Sequence, residues 1–350
     1  MTVFRILGLA CFLCLMPGGG LLAWSAQPIW EIPISEIPIS EIVVFGDSLS
    51  DSGNVFAATG GLLPPDPPYW QGRFSNGPVW VERFAARLGL SAAPHWLGGT
   101  NYAYGTAETG DGNSAWGAPN MDTQLGFYLD DHTPTGLELF VLWGGPNDFF
   151  NGQMDPVVPA ANVANLATTL HGLGARRFMV PNMLPLGQAP TYRGTDQEPI
   201  ADAFAADFNA ELSTQLAPLR AEPDVTIFEP DVHGLFMAFL ADPAGYGQMY
   251  GITNFTDPAY DMETGAIVEH PDRYVFWDII HPTRVVHQVI ADAVPEPSSP
   301  ALLGTMAVGL IFLSRRRKRL RTRPEVTSGT RKGTVPFSLR ENRDSPQVVS

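Results

Sequence analysis

The sequence predicts an α/β fold, a parallel sheet covered by helices on both faces. Two observations point there. Short apolar runs alternate with helix-period segments over about 250 residues. The runs are mostly apolar instead of alternating strictly with polar residues, as strands buried on both faces are. A third observation says where function would lie. Three turns of this body are polar and contain glycine, and in parallel sheets active residues collect at the carboxyl ends of strands.

In chain order, Glu41–Phe45 is a β-branched strand ending at Gly46. Asn76–Gly89 carries Val81, Phe84, Ala85 and Leu88 at helical spacing. Leu137–Trp143 is a second strand, ending at Gly144-Gly145. Ala160–Leu173 reads as a helix and Arg177–Val180 as a strand. Ala201–Leu219 is a long helix that ends before Pro223, and Val225–Phe228 is a strand. Pro282–Val294 is the last helix, with proline in its first turn, where no N–H is missed.

Composition narrows the class. The 350 residues are 45% apolar and 16% charged, with net charge −15 and two cysteines. That apolar content argues against a disordered or collagen-like chain. Length and cysteine count exclude a disulfide-stapled mini-domain. The acidic balance disfavours nucleic acid, whose phosphates need clustered Lys and Arg. Residues 27–294 hold 9 basic and 32 acidic residues, a charge of −23, and no lysine. The ends are basic: Arg5 near the start and 11 basic residues after position 294.

Both ends read as addresses. Arg5, the apolar run Ile6–Met16 and small residues at Ala23, Ser25 and Ala26 form a secretory signal peptide over 1–26. Both cysteines, Cys11 and Cys14, lie inside it, so the mature chain would have no thiol. Residues 27–41 form an extended leader in which Glu31–Ser35 repeats as Glu36–Ser40; proline in each copy blocks a helix. At the other end, Pro295-Glu296-Pro297 precedes the apolar run Ala301–Leu313 and the cluster Arg315–Arg319. Residues 294–319 resemble the PEP-CTERM sorting tail of Gram-negative bacteria. The resemblance implies export to the cell envelope or exterior, transient membrane anchoring, and processing by signal peptidase and an exosortase. Residues 320–350 are polar, lack periodicity and are expected to be disordered. The enzyme-like body is then 42–293.

Four turns of that body carry chemistry. Gly46-Asp47-Ser48 puts a serine at a strand end, where a following helix N-terminus favours negative charge. A serine hydroxyl is a weak nucleophile and needs an adjacent base. Asp278-Ile-Ile-His281-Pro282 offers a histidine with a carboxylate three residues earlier to orient it. Gly98–Ala107 and Gly144–Asp148 could present oxyanion donors, through a glycine N–H and the Asn147 amide. Each turn taken alone is also ordinary turn or cap chemistry.

In this order the four turns resemble blocks I, II, III and V of the GDSL, or SGNH, hydrolases. Gly72-Arg-Phe-Ser-Asn76-Gly77 is similar to a segment between blocks I and II in their lipase-like branch. The resemblance implies a three-layer α/β/α, flavodoxin-like fold with a mostly parallel sheet. It implies ester hydrolysis through a serine acyl-enzyme, with Ser48 as nucleophile, His281 as general base and Asp278 orienting it. Oxyanion donors would be the Ser48 N–H, the Gly105 N–H, with Gly99 the weaker choice, and the Asn147 side chain. Block II often continues Gly-Gly-Ala, whereas here it reads Gly105-Thr106-Ala107.

Substrates on this reading are small esters, lipids or acylated glycans. Two other classes compete: a carbohydrate O-deacetylase acting on envelope or extracellular polysaccharide, and a non-catalytic envelope protein on the same fold. Trp70, Trp96, Trp116 and Trp143 would stack on sugars, line an acyl pocket or simply pack the core. His132 with Asp130-Asp131, and Asp111-Gly-Asn113, lack the rest of a metal-site pattern, and no phosphate-binding glycine loop follows a strand. No metal or cofactor is expected.

Overall fold

The computed structural model describes residues 38–294. The expected signal peptide, most of the leader, the sorting tail beyond Val294 and the extension 320–350 lie outside the described residues.

The described chain runs β1 (Ile42–Gly46), α1 (Asn54–Ala58), α2 (Trp80–Arg87), α3 (Met121–Asp131), β2 (Leu139–Trp143), α4 (Pro146–Phe150), α5 (Val157–Leu173) and β3 (Arg177–Met179). It continues through α6 (Glu198–Arg220), β4 (Thr226–Phe228), α7 (Val232–Ala241), α8 (Pro243–Tyr250), β5 (Asn254–Pro258), β6 (Tyr274–Phe276) and α9 (Arg284–Ala293). The main sheet has order β1-β2-β3-β4 and every pair is parallel. The free edge of β1 is covered by Thr100–Tyr104. Val44 N–H donates to Thr100 O, and Tyr102 and Tyr104 N–H donate to Val44 and Gly46 O at 2.7–3.1 Å. This irregular fifth strand closes the edge and delivers the 98–107 turn to the carboxyl end of β1.

The pleat explains the layers. Ile42 and Val44 point to one face, and Val43 and Phe45 to the other. The first face packs on Trp80 and Phe84 of α2, Phe236 of α7 and Val286, Val289 and Ile290 of α9. The second packs on Leu125 and Tyr128 of α3, Val163 and Leu170 of α5, and Phe208 and Leu212 of α6. The result is the three-layer α/β/α fold with a parallel sheet. Aromatic pairs tie sheet to helices: Trp80 meets Trp143 edge-on at 5.3 Å, and Phe140 meets Tyr128 edge-on at 5.6 Å. Truncating such a buried ring costs about 3–5 kcal/mol.

Several boundaries differ from expectation for local reasons. Helix α2 starts at Trp80, not Asn76, because Asn76 Oδ1 accepts from the Arg284 N–H and Glu82 Oε2 accepts from the Val79 N–H, capping the helix. Helix α9 starts at Arg284, not Pro282, because Pro282 bridges to Phe276 and the Thr283 hydroxyl donates to Tyr274 O. Helix α6 is longer than expected and runs through Pro218 in its last turn. Helices α3, α7 and α8 and the pair β5–β6 were not foreseen. Helix α3 buries Met121, Gln124, Leu125 and Tyr128, a face that includes a polar residue. Gln124 earns its place by bonding both the N–H and the C=O of Gly46, each at 2.9 Å, which braces the end of β1.

Candidate active site

The turn after β1 is built by Asp47. Its carboxylate accepts from the Leu49 N–H at 2.9 Å, and its carbonyl accepts from Ser50 and Asp51, so the chain bends with Ser48 at the apex. The last turn is built the same way by Asp278, whose Oδ1 accepts from the Ile280 and His281 N–H groups at 2.9 and 2.7 Å. These turns face each other. Ser48 Oγ lies 2.9 Å from His281 Nε2, and His281 Nδ1 lies 2.7 Å from Asp278 Oδ2. The structure thus brings Ser48, His281 and Asp278 into one hydrogen-bonded line. With the imidazole proton on Nδ1, Nε2 is left to accept from the serine hydroxyl.

Asp278 is 1% exposed. Burial works against its ionisation, but the charge and hydrogen bond of His281, the Ile280 N–H and the Tyr69 hydroxyl outweigh it, and the carboxyl is held below its ordinary value. Three other buried carboxyls behave oppositely. Burial raises Asp47 to about 7 and both Asp51 and Asp148 to about 6, against the backbone and hydroxyl hydrogen bonds each accepts.

Asn147 follows Gly145, whose φ of 121° favours glycine and whose Cβ would meet the Met183 and Phe208 side chains at under 3 Å. The Asn147 Nδ2 donates to Ala107 O at 2.9 Å, which leaves its second N–H for a ligand. Asp148 accepts from the Thr109 N–H and hydroxyl at 3.1 and 2.8 Å. Helix α4 therefore holds the 105–109 loop through both residues.

Here one expectation fails. The Gly105 N–H is not free for an oxyanion, because it donates to Asp51 Oδ2 at 2.9 Å. Glycine is needed at 105 for a different reason: a Cβ there would lie 2.2 Å from the Phe74 ring. Gly99 is also committed, its N–H donating to Pro94 O at 3.0 Å. Among the described residues, the N–H groups of Ser48 and of Thr106 meet no acceptor. Thr106 has φ 69°, the left-handed region, which a β-branched residue rarely enters. The departure from Gly-Gly-Ala to Gly105-Thr106-Ala107 thus falls on this left-handed position.

A small cavity of about 30 Å³ opens beside Ser48, Asn147 and His281. Leu49, Phe150, Leu184, Leu186, Phe236 and Phe276 give it apolar walls. None of the four singled-out tryptophans lines it. Trp143 packs on Trp80 in the core, Trp96 and Trp116 are exposed, and the Arg73 guanidinium sits over Trp70.

The model of the GDSL-like lipase/acylhydrolase family matches residues 42–294, nearly all of the described residues. The chain belongs to that family. Residues 293–319 of this GDSL hydrolase match the PEP-CTERM protein-sorting motif, which indicates export and envelope sorting. It is 29% identical over 335 residues to a phosphatidylcholine-sterol acyltransferase of Aeromonas hydrophila, covering 80% of this chain and 94% of that one. It is 29% identical over 280 residues to a thermolabile hemolysin of Vibrio parahaemolyticus, covering 73% of this chain and 63% of the hemolysin. A GDSL esterase/lipase of Arabidopsis thaliana is 27% identical over 305 residues, with 71% and 79% covered. Among solved structures, a member of the lipolytic G-D-S-L family from Veillonella parvula aligns with TM-score 0.40 at 16% identity, over 72% of this chain and 94% of that one.

Proposed function

We propose that this GDSL hydrolase cleaves carboxylic esters through an acyl-enzyme on Ser48, outside the cytoplasm of a Gram-negative bacterium. The observation that carries the reading is the line Ser48 Oγ–His281 Nε2–Asp278, with both links under 3 Å. His281 Nε2 takes the hydroxyl proton as Ser48 Oγ bonds to the ester carbonyl carbon. Asp278 holds the ring and stabilises the imidazolium. The oxyanion is held by the Ser48 N–H, the second Asn147 amide N–H and the Thr106 N–H, which takes the role expected of Gly105. His281 then returns the proton to the departing alkoxide as the C–O bond breaks. Water, activated by the same nitrogen, releases the acid.

The cavity speaks to the acyl part. Its walls are mostly apolar, which suits the hydrocarbon of an acyl chain better than the hydroxyls of a sugar ring. This favours esters of apolar acids over O-acetyl glycans. That relatives are named an acyltransferase and an esterase/lipase supports chemistry at an acyl group. The sorting motif supports delivery to the envelope, with signal peptidase and an exosortase as processing partners.

The test is hydrolysis of p-nitrophenyl acetate, butyrate and octanoate by the full chain and by Ser48→Ala. Turnover that disappears in Ser48→Ala, at unchanged folding, is the expected result. Full retained turnover would overturn the assignment.

A further inference from the structure

The segment Gly72–Gly77, with the aromatic residues before it, has no part in the mechanism above, yet it grips the histidine loop. The Phe74 ring lies 5.3 Å from the His281 ring. The Ser75 hydroxyl donates to Pro282 O at 2.9 Å, and the Arg284 N–H donates to Asn76 Oδ1 at 2.7 Å. At the head of this strap the Tyr69 hydroxyl donates to Asp278 Oδ2 at 2.7 Å, the same oxygen that meets His281 Nδ1. We propose that Tyr69 is a positioning residue for ester hydrolysis, acting through Asp278 on His281.

This rests on the serine-hydrolase reading. Asp278 has two oxygens, and each accepts two hydrogen bonds: Oδ1 from the Ile280 and His281 N–H groups, Oδ2 from His281 Nδ1 and Tyr69. Every lone pair directed at a neighbour is thus engaged, and the carboxylate is locked in rotation. The Tyr69 donor also spreads the negative charge of Oδ2 over two partners. That opposes transfer of the imidazole proton to Asp278 and keeps it on Nδ1, where Nε2 stays the acceptor for Ser48. Tyr69 cannot turn away. Its ring is 6% exposed and packs edge-on against Phe74, Tyr260 and Trp277 at 5.9–6.4 Å. Burial and the Asp278 charge push the phenol far above its ordinary pKa, so it remains a donor at any working pH.

Tyr69→Phe removes one oxygen and keeps every ring contact, so the fold is not at stake. Measured on p-nitrophenyl butyrate with the full chain, kcat should fall about tenfold with KM within about twofold. The same change made in Asp278→Asn should cost less than about twofold, because its route to His281 is already broken. An equal fall in both backgrounds would overturn the proposal, since the Tyr69 hydroxyl would then act by a route that does not pass through Asp278. So would an unchanged kcat in Tyr69→Phe. The rate at which a fluorophosphonate labels Ser48 gives the same comparison without turnover. Ser48→Ala, run alongside, separates the two readings: activity retained there sinks the serine mechanism itself, and the role of Tyr69 with it.

Discussion

Ser48 and His281 stand 233 positions apart in the chain, and their Oγ and Nε2 atoms lie 2.9 Å apart. One comes from the turn after β1 and the other from the turn before α9, so the parallel sheet and its covering helices must be complete before the pair exists. Disrupting either turn should therefore cost activity well before it costs stability.

The three aligned residues should differ in weight. Ser48→Ala and His281→Ala should each lower kcat by about 10⁴-fold or more, whereas Asp278→Asn should be less damaging if Asp278 only orients the ring. Steady-state rates on p-nitrophenyl butyrate make the comparison, and an Asp278→Asn loss as large as that of His281→Ala would contradict it.

Asn147 should contribute through the transition state. Asn147→Ala removes one of the proposed oxyanion donors and should lower kcat by about 10²–10³-fold with little change in KM. A rise in KM at constant kcat would instead mark it as a ground-state contact.

Positions 105 and 106 should respond in opposite ways. Gly105→Ala drives a methyl into the Phe74 ring and should lower both stability and activity. Thr106→Gly keeps the backbone N–H and relieves a left-handed backbone at φ 69°, so it should retain activity and gain about 1 kcal/mol. Thermal melts and rates on both variants check this; collapse of Thr106→Gly would show that the Thr106 side chain, bonded to Ser114 Oγ at 3.1 Å, matters more than the backbone.

Stability should rise on mild acidification. The folded pKa values of Asp47, at about 7, and of Asp51 and Asp148, at about 6, lie above the unfolded carboxyl value, so the folded state binds more protons between them. Their contribution is lost as pH rises through 6 to 7 and is gained as pH falls toward 4. Asp278 has the opposite sign: its contribution is present above pH 3.8 and is lost as pH falls through its depressed folded value. The melting temperature should climb from pH 7.5 to 5 and drop below about 4. Asp47→Asn, which keeps the acceptor for Leu49, should flatten the climb; an unaltered slope would contradict the assignment.

The apolar cavity should set acyl preference. Ala189 lines it and is 7% exposed. Ala189→Leu should lower the octanoate-to-acetate ratio of kcat/KM by about tenfold or more, since each methylene in an apolar pocket is worth about 1–3 kcal/mol. An unchanged ratio would place the acyl chain elsewhere.

What the sequence disclosed and what it hid have physical causes. The apolar runs ending at Gly46 and Gly145 identified β1 and β2 because buried parallel strands leave that pattern. The turns holding Ser48, Asn147, Asp278 and His281 were legible because Gly, Asp and Pro mark sharp bends. Gly105 was misread because composition shows which residue can approach a ligand, not where its N–H points; Asp51, 54 positions earlier, had claimed it. Helices α3 and α7 escaped because the inward face of one includes Gln124 and the other is apolar nearly all round. The tie from Tyr69 to Asp278 spans 209 positions and leaves no periodic signal at all.

The central claim is that Ser48 is the nucleophile, and covalent labelling tests it most directly. The full chain is treated with a fluorophosphonate, digested and read by mass spectrometry. The account predicts one phosphonylated serine, Ser48, with labelling lost in His281→Ala. A folded wild-type protein that stays unlabelled, or that is labelled at another serine, would contradict it.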